Sequence, residues 1–96
     1  MKLIKSKQLR SMHATVAEYE HNWEKFEILW SYSTPEVCKR DWECILFEDT
    51  RKSQSTWRQI HEFSWLFKRD WLNHNTCTLE WFENHYWVCV TPYKFY

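Results

Sequence analysis

Phe26-Glu27-Ile28-Leu29-Trp30-Ser31-Tyr32-Ser33 carries two periodicities at once, and the fold depends on which one the backbone follows. Phe26 and Trp30 complete an apolar stripe that begins at Leu9 and runs through Met12, Val16, Tyr19 and Trp23. Its spacings of 3, 4, 3, 4, 3 and 4 predict a helix over 7–30. The same residues also alternate: Phe26, Ile28, Trp30 and Tyr32 fall on one side of an extended chain, and Glu27, Leu29, Ser31 and Ser33 on the other. If the strand wins, the first helix ends near Asn22. Ser6 is one possible cap for that helix. Thr15, in the box Thr15-Val16-Ala17-Glu18, is the other. Aromatics at most stripe positions suit docking on a domain core better than a regular coiled-coil seam.

The ambiguity continues downstream. Ser33-Thr34-Pro35-Glu36 reads as a helix start, with proline allowed in the first turn and glutamate near the positive end. Cys38, Trp42, Ile45 and Leu46 then share one face, which predicts a helix over 34–48. Cys44-Ile45-Leu46-Phe47 would also serve as a buried strand. Asp49 to Ser55 is a polar loop. Thr56-Trp57-Arg58-Gln59 opens a clearer helix over 56–73, with Trp57, Ile60, Phe63, Phe67 and Trp71 as its stripe and Asn73-His74-Asn75 as its end. From Thr76 the period changes to two. A turn at Asn84-His85 would pair Trp81 with Val88 and Leu79 with Val90 in a hairpin of strands 76–82 and 86–94. The expected fold is therefore α+β, a single domain over 1–96 with two or three helices before a C-terminal antiparallel hairpin. Its competitor is helix, two strands, helix, two strands, with one four-stranded antiparallel sheet.

Function is constrained mainly by what is missing. The chain has 96 residues, no glycine and eight tryptophans, and its 13 basic and 13 acidic residues cancel. At an average glycine usage of about 7%, six or seven would be ordinary. Without glycine the phosphate-cradling loop, the dinucleotide fingerprint, the nucleophile elbow and the calcium-binding EF-hand loop cannot form in their usual ways, since each needs a positive φ or a close backbone approach. Charge neutrality argues against a general nucleic-acid binder. No stretch is apolar and long enough to span a membrane, and no signal-peptide core follows Met1-Lys2-Leu3-Ile4-Lys5. A cytoplasmic protein with reduced cysteines is the expectation. The flattened composition also fits an artificial sequence, designed or selected to fold without a task.

Three constellations in the sequence resemble chemical sites, and each has a plainer explanation. His74-x2-Cys77 and His85-x3-Cys89 have the spacing of paired zinc ligands. The expected hairpin, however, puts Cys77 and Cys89 on opposite faces. Glu18 and His21 supply one Glu-x-x-His step, whereas a di-iron carboxylate site needs two such steps and two further glutamates. Nothing in the sequence singles out a Cys–His nucleophilic pair among four cysteines and five histidines. No metal, cofactor or enzymatic activity is expected.

Aromatic residues remain as candidates. Trp65 lies off the stripe of its helix, and Phe82 and Trp87 fall on the hairpin face opposite the apolar set. Trp65, Phe82 and Trp87 are therefore the expected contact residues for a protein partner or a second copy, because large rigid aromatics dominate binding hot spots. Nucleic-acid binding is the lesser alternative. It would use Lys2, Lys5, Lys7 and Arg10 on phosphates, with Arg51, Lys52, Arg58, Lys68 and Arg69 extending the basic surface.

Overall fold

The computed structural model describes residues 2–9, 13–40, 43–66 and 75–86. Strand backbone wins at Phe26, and in every described element from Lys2 to Phe47. Five strands follow one another: β1 (Lys2–Gln8), β2 (Ala14–His21), β3 (Glu24–Ser31), β4 (Thr34–Arg40) and β5 (Glu43–Phe47). Helix α1 (Gln54–Ser64), the two-residue strand β6 (Thr76–Cys77) and helix α2 (Leu79–Tyr86) complete the described elements. The sheet order is β1-β2-β3-β4-β5-β6; the first four pairings are antiparallel and β5–β6 is parallel.

This overturns both expected arrangements. The helices expected over 7–30 and 34–48 are strands, and strands precede the helices. The C-terminal hairpin is also replaced: Leu79–Tyr86 is helical, so Asn84 and His85 lie inside α2 instead of forming a turn.

The reason lies in how the sheet is covered. On one face Ala17, Tyr19, Phe26, Ile28, Trp30, Cys38, Ile45 and Phe47 form a core that is closed by Phe82 of α2. On the other, Ala14, Val16, Leu29, Val37 and Leu46 pack beneath Ile60 and Phe63 of α1. Central strands buried on both faces lose the apolar–polar alternation that marks a half-exposed strand. Ala14-Thr15-Val16-Ala17 is accordingly buried at four successive positions. A run of that kind has no period of its own, so the aromatics within it can fit a helical spacing by accident.

Local chemistry sets the helix ends. Ser53, with extended backbone, caps α1 by accepting from the Thr56 amide at 3.2 Å. The cap is thus three residues earlier than Thr56, the position expected from sequence. The helix stops at Trp65, which adopts φ 64° and donates its amide to the His61 carbonyl at 2.7 Å. It therefore does not continue to 73, and the expected stripe residues Phe67 and Trp71 lie outside the described residues. In α2, Thr78 accepts from the Trp81 amide and Asp49 from the Leu79 amide, both at 3.0 Å. Two otherwise orphaned donors of the first turn are satisfied in this way. Leu79, Phe82 and Tyr86, spaced 3 and 4, then face the core.

Lack of glycine shows in the turns. Asn22 (φ 51°) and Trp23 (φ 69°) link β2 to β3, and Tyr32 (φ 57°) begins the turn from β3 to β4. Paired positive φ values in a two-residue hairpin loop are those of a type I′ turn, where Asn-Gly is the preferred sequence. With Trp65, three large aromatics hold left-handed positions that glycine ordinarily fills. Each such residue costs about 1–2 kcal/mol in backbone strain.

Candidate functional site

The three residues expected to form an aromatic contact patch are not brought together. Trp65 is 77% exposed at the end of α1, on one side of the sheet. Phe82 is fully buried on the other side, edge-on to Phe26 and Phe47 with ring centroids 6.2 and 5.2 Å away. It closes a core and presents nothing to a partner. Trp87 lies outside the described residues.

Among the described residues, the most exposed large aromatic is one that sequence reasoning set inside the core. Trp23 is 95% exposed at the β2–β3 tip. It was missed because it fits the 3–4 spacing of a stripe that never forms a helix. The available signal was the preceding Asn22, a residue that tolerates left-handed backbone. Tyr32 and Trp81 are half-exposed aromatic rings as well. Tyr32 stacks on His13 at 5.4 Å, and Trp81 on His85 at 4.5 Å. Trp23 and Tyr32 cap opposite ends of β3, whose eight residues span about 26 Å. Those two rings are thus separate features at opposite ends of one strand.

The basic N-terminal residues form an edge. Lys2, Lys5 and Lys7 lie on β1, the terminal strand of the sheet, whereas Arg10 is outside the described residues. A register shift between Leu3 and Lys5 puts a bulge in this strand. Lysines and a bulge are the usual protection of an open edge against pairing with another chain. Lys5 also faces Glu18 at 3.5 Å. Lys52, expected from sequence to extend the basic surface, is buried.

Lys52 belongs to the strongest electrostatic feature of the fold. A bulge in β4 pairs Leu29 with Val37 but Trp30 with Pro35, leaving Glu36 as the extra residue. Its side chain is fully buried, and the Lys52 ammonium, 3% exposed, stands 3.8 Å from Oε2. That distance suits an ion pair and is too long for a hydrogen bond. Lys52 spends its donors on the Phe47 carbonyl, the Thr50 carbonyl (3.2 Å) and Thr50 Oγ1 (2.7 Å). Neither Glu36 oxygen gains a hydrogen bond. Burial raises its carboxyl from 4.5 to about 7, against the pull of Thr50 and Lys52, and burial likewise lowers Lys52. Among the described pockets none is lined by this pair, so it is poised to titrate but not to meet a substrate.

The cysteines and the acid–histidine step take up separate positions. Cys38 and Cys44 carry free thiols that point to opposite faces of the sheet. Burial raises both, and brings Cys77 up to about 11. Such thiols are poor nucleophiles and reluctant metal ligands at neutral pH. The hairpin register used to separate Cys77 from Cys89 does not exist, since Cys77 is in β6 and Cys89 is outside the described residues. Among the described residues no three His, Cys, Asp or Glu side chains converge as metal ligands. Glu18 and His21 sit in β2 at odd spacing, which sends them to opposite faces. No described helix is long and apolar enough to cross a membrane.

Comparison of the chain with protein-family models, with curated proteins and with solved structures yields no match.

Proposed function

We propose that this chain is a non-enzymatic binding domain that engages another protein, or a second copy of itself, through exposed indoles at Trp23 and Trp65. One observation carries the reading. Trp23 is placed where both solvent and backbone disfavour it, 95% exposed and at φ 69°. Strain of this sort, unrewarded within the fold, points to use outside it. Trp65 repeats the combination at 77% exposed and φ 64°. An indole seated in a partner's pocket supplies large rigid contact area and one hydrogen-bond donor.

Glycine replacements separate binding from folding. Trp23→Gly and Trp65→Gly remove the indole while relieving the left-handed strain, so the variants should remain folded. A partner retained stoichiometrically by the wild-type chain, or a concentration-dependent dimer in sedimentation, should be lost in the double variant. An unchanged interaction in that variant overturns the proposal. A second reading is favoured by the same turns: a glycine-free composition, artificial in origin, forces aromatics into left-handed positions without any task. A wild-type chain that sediments as a monomer and retains no stoichiometric partner supports that reading.

A further inference from the structure

The α1 face of the sheet is only partly covered, and its open part is a charged cleft of about 410 Å³. Four lysines distant in sequence meet there. Lys5 and Lys7 come from β1, Lys25 from β3 and Lys39 from β4, around Glu18, Glu27 and a floor that includes Val16. Register explains the meeting: Lys7 lies opposite Val16, Lys5 opposite Glu18, Glu18 opposite Glu27, and Glu27 opposite Lys39. Directly opposed residues of antiparallel strands share a face.

Edge protection accounts for Lys5 and Lys7 but not for Lys25 and Lys39, which occupy interior strands. Charge balancing accounts for part of the remainder. Glu18 is held by Lys5 at 3.5 Å and Lys25 at 3.8 Å, so one carboxylate serves two ammonium groups. Lys39 lies over the Phe63 ring at 4.4 Å, although Glu27 is its neighbour in register. Among the described residues Lys7 has no carboxylate partner. The cleft therefore carries two more positive charges than negative ones, on walls about the size of a small-molecule pocket.

We propose that this cleft binds a small dianionic ligand of the phosphate-ester or diphosphate class, with Lys7 and Lys39 as its principal contacts. Ammonium groups act as point charges toward phosphate, and a concave surface with an excess of one sign raises the local concentration of anions. The site is separate from the indoles of Trp23 and Trp65, and neither proposal depends on the other.

Calorimetric titration of the full chain with inorganic pyrophosphate at low ionic strength tests it. Saturable binding at one equivalent is expected, weakening as salt is added. Lys7→Gln should reduce affinity several-fold, and Lys7→Gln with Lys39→Gln by about tenfold or more. Lys2→Gln, a charge change on the same strand that does not line the cleft, should leave affinity within about twofold. Absence of saturable binding overturns the proposal. So does equal weakening by Lys2→Gln, which would mean diffuse attraction without a site.

Discussion

The two faces of the sheet use the same strands for opposite ends. Beneath α2 the core is closed and aromatic: Phe26, Phe47, Phe82 and Tyr86 pack ring to ring, and Arg40 seals the margin. Its guanidinium donates to Tyr86 Oη at 2.7 Å and pairs with Glu24 at 2.6 Å. Beneath α1 the core is mostly aliphatic, with Phe63 as its buried ring, and one row further along the strands becomes Lys5, Glu18, Glu27 and Lys39. Alternate residues of a strand can therefore meet unrelated demands, because the pleat sends them to separate environments. Both faces carry a core, but only the α1 face also holds the charged cleft.

Removing Phe82 should break this comparison most severely. Phe82→Ala deletes the ring that joins α2 to the sheet and should cost about 3–5 kcal/mol in urea denaturation. Phe63→Ala on the other face should cost less, since Phe63 is 8% exposed whereas Phe82 is fully buried. Equal losses would show that the two faces contribute alike.

Next in size is a pH effect at Glu36, where the bulge interrupts the alternation between faces. Its carboxyl moves from 4.5 unfolded to about 7 folded. The folded chain holds that proton more tightly between those values, so stability is greatest below the lower value and falls as pH rises toward 7. The loss should be roughly 3 kcal/mol at most. Lys52, lowered by burial, acts in the other sense at alkaline pH, adding stability as pH climbs toward its unfolded value of 10.5. Denaturation at pH 5 and 8 should show Glu36→Gln more stable than wild type at pH 8 and nearly level between the two. A wild-type slope that persists in Glu36→Gln would assign it to other groups.

Smaller changes sharpen the contrast at the surface. Trp23→Gly and Trp65→Gly should each raise stability by about 1 kcal/mol, visible as a higher urea midpoint with unchanged slope. Glu27→Gln removes the like charge facing Glu18 but also the counter-charge opposite Lys39, so stability should change by no more than a few tenths of a kcal/mol, less still in added salt.

Parts of this organisation were legible beforehand. The helix following the polar loop could be read from Trp57, Ile60 and Phe63, and the off-stripe position of Trp65 matched its exposure. Helix α2 was hidden, because Cys77, Leu79 and Trp81 alternate as a strand would, masking the spacing of Leu79, Phe82 and Tyr86. Its cap, Thr78, lies inside that alternating stretch and reads there as a strand residue. Trp23 was concealed by an accidental stripe. The lysine cleft could not be found at all, since positions 5, 7, 25 and 39 become neighbours only once three strand registers are known.

By itself, then, the sequence determined the chemical vocabulary. Lack of glycine removes phosphate-cradling loops and obliges Asn22, Trp23, Tyr32 and Trp65 to accept left-handed backbone. Equal acid and base counts and abundant indoles are likewise composition alone. Tertiary structure decided between helix and strand over residues 14–47, because helices on both faces bury successive residues and erase the local period. It also decided that Phe82 belongs to the core and Trp23 to solvent. Burial is a property of what packs against a residue, and that covering surface comes from segments far away along the chain.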